Sequence, residues 1–210
     1  MRAVIMAGGK GTRVSSVSSK LPKCLLKLNG KTVLEHQIEI LKREGVQYIT
    51  LSLGFMHEKV VDFLKINDYF GIKIDYIVEP EPLGTAGSLS LIPNINDDFI
   101  LIYGDLIFDV ALDIFLKYHK EKKGLATLFV HPNDHPFDSD LVECDSNGRI
   151  ISFSNKNRSR KIYSNIVNSG LYLLNPEIIG YIPTKKLDLV NDVFNSLVSQ
   201  KIKLYGYHSS

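Results

Sequence analysis

The sequence predicts an α/β protein built on a Rossmann-like, mostly parallel mixed sheet sandwiched by helices. Three observations carry this. Strand-like and helix-like segments alternate strictly from the N-terminus to Val130, which argues crossover connections and a parallel sheet covered on both faces. Phe99-Ile100-Leu101-Ile102-Tyr103 is a near-continuous apolar run, as expected of a strand buried on both sides. The apolar run Arg2-Ala3-Val4-Ile5-Met6 ends in Ala7-Gly8-Gly9-Lys10-Gly11-Thr12-Arg13, a strand meeting a glycine loop with cations. Such a loop places backbone N–H groups and positive charge together, an arrangement suited to a polyphosphate.

The elements follow in order. After Leu21-Pro22-Lys23, the piece Leu25–Leu28 is extended and Asn29-Gly30 turns it. Thr32 and Glu35 stand in capping-box spacing and open a helix whose buried face is Leu34, Ile38 and Leu41, with Gly45 ending it. Tyr48–Leu53 reads as a strand, His57–Ile66 as a helix and Lys73–Val78 as a strand. Glu79-Pro80-Glu81-Pro82-Leu83-Gly84-Thr85-Ala86-Gly87 is a loop running into a short helix. Behind Phe99–Tyr103 come Gly104-Asp105, a helix from about Val110 to Glu121, and a strand over Leu125–Val130. The texture then changes. Asp138–Phe153 reads as a hairpin around Asp145-Ser146-Asn147-Gly148, Ile166–Leu174 as a strand, Leu187–Ser199 as a helix and Lys201–Tyr207 as a final strand. No repeat, linker or low-complexity segment interrupts the chain. The expectation is one domain over 1–210, with a nucleotide-type half at 1–130 and a more irregular substrate half at 131–210.

Composition narrows the function classes. With 210 residues, 44% hydrophobic and 23% charged, the chain has the make-up of a soluble globular domain with a substantial core. A net charge of +2 is too small to suggest nucleic acid or a membrane surface as the main partner. Cys24 and Cys144 are neither a disulfide framework nor a metal set; they read as packing residues, and a reducing cytoplasm is the expected location. With no signal peptide or spanning run in view, Asn157-Arg158-Ser159 reads as a chance glycosylation triplet.

The glycine loop is neither of the two common phosphate motifs. Leu25 stands five residues before Gly30-Lys31-Thr32, where a Walker A sequence needs glycine, and Val14 occupies the last position of a dinucleotide fingerprint. Lys10, Arg13 and Lys23 are three cations near the same strand end, a placement that solvated surface charge does not require.

These residues resemble the sugar-1-phosphate nucleotidyltransferases, or nucleotide-sugar pyrophosphorylases. The signature Gly-Gly-x-Gly-Thr-Arg followed by Pro-Lys is met by Gly8–Arg13 and Pro22-Lys23, and the resemblance continues through Glu79–Gly87, Gly104-Asp105 and Asn168-Ser169-Gly170. It implies the nucleotide-diphospho-sugar transferase fold and a reaction in which a sugar 1-phosphate attacks the α-phosphorus of a nucleoside triphosphate, expelling pyrophosphate. A phosphate monoester has its second pKa near about 6, so the nucleophile is a ready dianion and no general base is needed. The obstacle is charge, and catalysis is expected from positioning and cationic stabilisation.

By this resemblance Gly8, Gly9, Gly11 and Thr12 bind the nucleotide, Arg13 the leaving phosphates, and Lys23 the α-phosphate and incoming phosphate. Glu79, Gly84, Thr85 and Gly87 belong to the loop that reads the base, and its small residues let the ring approach. Asp105 follows a buried strand at the carboxyl edge, where open α/β sheets hold ligands, and by resemblance binds Mg²⁺, the expected cofactor. Lys156 matches the sugar-phosphate lysine, although Asn157 replaces the usual proline; Arg158, Arg160 and Lys161 beside it read as a solvated loop. Asn168 and Gly170 are expected at the sugar, with Glu143 as a hydroxyl partner. The second half thereby becomes the sugar-phosphate half.

The pattern departs from the family at its end. A second metal carboxylate, in an Asp-x-Gly-Thr segment, usually follows the last strand, and the chain stops at Tyr207-His208-Ser209-Ser210. Shortening, with weakened Mg²⁺ binding and activity, is the favoured expectation, and Asp188 or Asp192 as a substitute is the alternative. His131-Pro132-Asn133-Asp134-His135-Pro136 carries two histidines four apart, but the prolines exclude a regular helix, so a rigid polar substrate loop is favoured over a zinc site.

Within the family the segment resembles D-glycero-α-D-manno-heptose 1-phosphate and mannose-1-phosphate guanylyltransferases of surface-glycan (lipopolysaccharide or capsule) synthesis. GTP is the expected nucleotide and the heptose 1-phosphate the expected sugar. A homodimer, and fusion to a haloacid-dehalogenase-type phosphatase, stay open. Two rival classes remain. One is a metal-dependent glycosyltransferase using Asp138-Ser139-Asp140, although that motif precedes its strand; the other is a non-catalytic nucleotide-binding module.

Overall fold

A computed structural model describes residues 1–9, 21–133, 140–154 and 165–208. Strand β1 (Arg2–Ala7) starts the chain. A 3-10 turn at Lys23–Leu25 leads into the short strands β2 (Lys27–Leu28) and β3 (Lys31–Thr32), which pair only with each other. Helix α1 (Val33–Arg43) opens with the predicted capping box: Thr32 Oγ1 accepts from the Glu35 N–H at 3.1 Å, and the Glu35 carboxylate accepts from the Thr32 N–H. Then come β4 (Tyr48–Leu53), α2 (His57–Ile66) and β5 (Lys73–Val78). A four-residue helix α3 (Gly84–Gly87) runs into a 3-10 turn, and β6 (Phe99–Tyr103), α4 (Leu112–Lys122) and β7 (Ala126–Pro132) complete the alternating part. Beyond it lie the hairpin β8 (Leu141–Cys144) and β9 (Ile150–Ser154), the long β10 (Ile166–Leu174), and β11 (Leu204–His208).

The expected single helix over 187–199 is instead a wide π-turn at Leu189–Phe194 continuing into α5 (Asn195–Ser199). A 3-10 segment at Pro176–Tyr181, started by the Asn175 side chain accepting from the Glu177 N–H, was not legible from the sequence.

The strands form one sheet in the order β11-β7-β10-β6-β1-β4-β5, with β8 and β9 attached to β10. Strands β6, β1, β4 and β5 are mutually parallel, and β11 runs parallel to β7. The mostly parallel mixed sheet is as expected, and its antiparallel member is β10, which lies between β6 and β7 and runs antiparallel to both. The physical reason is its composition: Leu171, Tyr172, Leu173 and Leu174 are all essentially buried, so β10 needs cover on both faces and a neighbour on each edge.

Two apolar layers flank the sheet. On one side Ala3, Ile5, Leu51, Ile100 and Ile102 meet Leu34, Ile38 and Leu41 of α1, Leu64 of α2 and Phe115 of α4. On the other, Val4, Leu101, Leu128 and Tyr172 meet Ala86, Leu89, Phe194 and Leu197. The three-layer arrangement leaves the carboxyl ends of β1, β5 and β6 facing one cleft, which is the feature that matters for function.

Candidate active site

The cleft encloses about 520 Å³, and its wall is drawn from several elements. The end of β1 contributes Met6 to Gly9, the end of β6 contributes Tyr103, Gly104 and Asp105, and the first 3-10 turn contributes Lys23 and Cys24. Glu79, Gly84 and Thr85 come from the loop after β5, and Asp140, Asp188 and Val190 from the second half.

Its best-defined polar contact joins two residues far apart in sequence. Lys23 Nζ donates to Asp105 Oδ2 at 3.0 Å, with the two side chains 26% and 53% exposed. The two charges expected to meet phosphate and metal therefore meet each other across the cleft. The Lys23 turn is closed by the Leu26 N–H donating to the Lys23 carbonyl at 3.0 Å, and it is tied to α1 by the Val33 N–H donating to the Leu26 carbonyl at 3.0 Å. Next to it the buried Cys24 thiol is pushed up to about 12, mainly by burial, so it stays protonated and packs rather than attacks. Tyr103, also lining the cleft, is held protonated for the same first reason, its hydroxyl pushed up to about 12 by burial.

The loop over 79–88 has a tighter explanation than base approach. Gly84 has φ +77, and a Cβ there would lie 2.3 Å from the Leu187 carbonyl oxygen; a Cβ on Gly87 would lie 2.0 Å from that of Lys185. Both glycines are required by the backbone of 185–187, which pairs with the loop through Ala86 N–H to Leu187 C=O and Leu187 N–H to Leu83 C=O. Gly84 and Thr85 line the cleft, and Gly87 lies behind them. Glu79 also lines it, but its carboxylate already accepts from Ser52 Oγ at 3.1 Å and from the Leu83 N–H at 3.0 Å, closing its own loop.

The two proposed substitutes for a second metal carboxylate also carry hydrogen bonds of the fold. Asp188 Oδ1 accepts from the N–H groups of Val190 and Asn191 and from Asn191 Nδ2, and Oδ2 accepts from Thr85 Oγ1 at 3.0 Å. Asp192 Oδ2 accepts from the Asp188 N–H at 2.6 Å. The pair is a helix cap, tied to the loop after β5 by Thr85. Only Asp188 reaches the cleft.

The sugar half is partly brought together. Asn168 donates to the Tyr172 hydroxyl at 2.7 Å and accepts from the Gly170 N–H at 3.3 Å, at a bulge in β10. Gly170, with φ +89, presses against the Tyr103 ring, and neither residue lines the cleft. Glu143 sits in the β8–β9 hairpin, accepts from Ser152 Oγ and does not line the cleft. Asp140 does line it, although it entered the sequence reading only through the Asp138-Ser139-Asp140 motif. Its main-chain carbonyl accepts from the Asn168 N–H at 3.0 Å, which seats it at the bulge. His131 lies in the last part of β7, not in a loop, with its Nδ1 2.7 Å from the Pro132 carbonyl oxygen. Lys10, Gly11, Thr12, Arg13, His135, Asp138 and Lys156 fall outside the described residues.

Four carboxylates, from Glu79, Asp105, Asp140 and Asp188, thus line the cleft against one described cation, Lys23. No cluster of three metal-ligating side chains exists among the described residues. A hard, oxygen-seeking cation fits this wall: Mg²⁺ typically takes one or two carboxylates and completes its shell with phosphates and water. Asp105, half-exposed on the carboxyl edge, is the residue able to hold it. No helix among the described residues is long and apolar enough to cross a membrane.

Comparison with known proteins agrees with this geometry. The sequence profile of the family described as Nucleotidyl transferase matches residues 2–209. A UTP–glucose-1-phosphate uridylyltransferase of Synechocystis is 31% identical over 98% of this chain and 57% of its own length. A mannose-1-phosphate guanyltransferase 2 of Candida glabrata is 32% identical over 99% of this chain and 58% of its own. The chain therefore spans little more than half the length of these relatives. Among solved structures, HddC of Yersinia pseudotuberculosis complexed with GMP-PN superposes with a TM-score of 0.81 at 28% identity, covering 99% of this chain and 90% of that one. A putative glucose-1-phosphate thymidylyltransferase of Bacillus anthracis shares the fold, with a TM-score of 0.86 at 23% identity, covering 100% of this chain and 87% of that one. The match along nearly the whole chain establishes that the chain belongs to the nucleotidyl transferase family.

Proposed function

We propose that the protein joins a nucleoside triphosphate to a sugar 1-phosphate, giving a nucleotide-diphospho-sugar and pyrophosphate. The observation that carries this is the Lys23–Asp105 pair at 3.0 Å on the carboxyl edge of the parallel strands, with one cationic and one metal-competent group poised at the same point. A phosphate oxygen of the sugar 1-phosphate bonds to the α-phosphorus as the bond to the bridging oxygen of pyrophosphate breaks. The nucleophile arrives as a dianion, so the reaction needs no proton abstraction. Lys23 neutralises phosphoryl oxygens, and Asp105 would hold Mg²⁺. When bound, that ion offsets charge on the departing phosphates. In this reading the ion pair is the resting arrangement, and both partners exchange to substrate groups.

GTP is our reading for the nucleotide, and mannose 1-phosphate or D-glycero-α-D-manno-heptose 1-phosphate for the sugar, in a cytoplasmic route to surface glycans. It is supported by guanylyl relatives and by the guanine-type nucleotide named in the HddC complex. The test is a matrix of the four triphosphates against several sugar 1-phosphates, scored by pyrophosphate release. Preference for a pyrimidine nucleotide overturns the guanylyl assignment. Release of a nucleoside diphosphate from a nucleotide sugar, with no pyrophosphate formed, would instead make the protein a glycosyltransferase.

A further inference from the structure

Gln37 is the polar exception in the buried face of α1. Its neighbours on that face, Leu34, Ile38 and Leu41, are wholly buried and apolar, and Gln37 is buried as completely. Its Nε2 donates twice, to the Tyr103 carbonyl at 2.8 Å and to the Leu106 carbonyl at 2.6 Å. Those two carbonyls bracket Gly104-Asp105. The same turn is closed by the Leu106 N–H donating to the Tyr103 carbonyl, and it is tied to β1 by the Gly104 N–H donating to the Met6 carbonyl, both at 3.0 Å. One amide therefore grips both ends of the turn whose tip is Asp105.

The rest of the side chain shows what the amide is not for. Among the described residues Gln37 Oε1 is buried with no hydrogen-bond partner. An unmade buried acceptor is costly, and a half-satisfied polar group is a poorer core filler than an apolar residue of the same size. The same helix also anchors Lys23, because the Val33 N–H of its first turn holds the Leu26 carbonyl at the end of the Lys23 turn. Both members of the 3.0 Å pair hang on α1, Lys23 through Val33 and Asp105 through Gln37.

We propose that Gln37 is a positioning residue that sets Asp105 where it can hold a divalent cation opposite Lys23. The proposal rests on the reading of the cleft given above. It acts through the turn and not by touching substrate, so the signature is a change in metal requirement that a packing defect would not produce.

The experiment measures nucleotide binding without turnover. The four nucleoside triphosphates are titrated calorimetrically into the full chain with no sugar phosphate, in EDTA and then across a Mg²⁺ series, and the tightest-bound triphosphate is carried forward. Gln37→Met keeps the length while removing both the two donors and the orphan acceptor. Leu41→Met, on the same face but away from the turn, controls for packing. Outer-shell partners of metal ligands typically change metal affinity by roughly 10- to 100-fold, so Gln37→Met is expected to raise the half-saturating Mg²⁺ concentration by that factor. Affinity in EDTA should stay at the wild-type value, while the thermal midpoint can fall further than that of Leu41→Met by the two hydrogen bonds lost.

An unmoved Mg²⁺ requirement in Gln37→Met overturns the proposal, as does an equal loss of affinity in EDTA, which would mean general damage to the cleft. If Gln37→Met does not fold, Gln37→Asn, which keeps the amide but withdraws it by one methylene, is judged by the same two criteria. A wild-type chain whose binding ignores Mg²⁺ overturns the reading of the cleft itself, and the proposal with it; a normal wild-type response beside an unmoved variant overturns the proposal alone.

Discussion

Replacing Lys23 by methionine keeps the aliphatic stem and removes one charge, so its effects on stability and on turnover separate cleanly. In the resting protein Lys23 has a single described partner, Asp105 at 3.0 Å, and the carboxylate is 53% exposed. Exposed ion pairs of this kind contribute about 0–1 kcal/mol, and water can solvate Asp105 once the ammonium is gone. For a chain of this length about 1 kcal/mol moves Tm by roughly 2–4 °C, which is the most the melt should change. Turnover faces a different term. One unit charge against another at 4 Å is worth about 4 kcal/mol at an effective dielectric near 20, close to three powers of ten in rate. Part of that attraction already exists in the bound substrates. The loss in kcat should therefore resemble that for removing one oxyanion donor, about 10²- to 10³-fold. Pyrophosphate release and a thermal melt on the same preparation measure both. Lys27→Met, which removes an exposed lysine of β2, is the control and should do neither. Turnover by Lys23→Met within tenfold of wild type would refute the reasoning, and so would a loss of activity matched by a collapse in Tm.

Three further outcomes are expected from residues around and beneath the cleft. Gly87→Ala places a methyl 2.0 Å from the Lys185 carbonyl oxygen, which is backbone and cannot swing away, so stability should fall by about 1–3 kcal/mol in urea unfolding. Asp188→Ala removes the cap of the 189–194 turn and the anchor of Thr85, and should cost about 0.5–2 kcal/mol while raising KM for the nucleotide. His119 is buried, with Nδ1 2.7 Å from Thr127 Oγ1; burial lowers its pKa, Lys120 adds to this, and Asp98, 3.7 Å from Nε2, opposes it. Because the folded pKa lies below the unfolded value near 6.5, the unfolded chain takes the proton first. The stability due to the neutral ring is complete above about 6.5 and is lost as pH falls toward the folded value. His119→Gln should flatten the urea midpoint across that window, and an unchanged slope would assign it to other groups.

Much of this was legible because periodicity and capping act locally. Tyr48–Leu53, His57–Ile66, Lys73–Val78, Phe99–Tyr103 and Ile166–Leu174 fold where their residues place them, and Thr32 with Glu35 caps as its spacing predicts. Strand order is a tertiary matter. The run Leu171–Leu174 announces a buried strand but not the pair of neighbours between which β10 inserts. In the cleft, Lys23 and Asp105 stood out because each sits at a break in an element and carries a charge. Gln37 did not, because its position between Leu34 and Ile38 reads as one more turn of an amphipathic helix. The available signal was an amide at core spacing, three residues after Leu34. Asp188 was readable too: an aspartate heading the apolar run 187–199, with a second carboxylate four residues on, is first a helix cap.

The same competition between packing and chemistry fixes what the acidic wall can do. Glu79 is already held by Ser52 and Leu83, and Asp188 by Thr85 and its own helix turn. They position loops as well as lining the cleft. Asp105 is different, because its described partner is the ammonium of a lysine and not a backbone N–H. An anionic nucleotide can draw that ammonium away only if something replaces it at Asp105, since a bare carboxylate would then face phosphate at close range. A divalent cation brought with the nucleotide does so directly. On the proposed function the wall would couple the two events: Lys23 would be released to phosphate where Asp105 held a divalent cation, and nucleotide without metal should leave the pair closed.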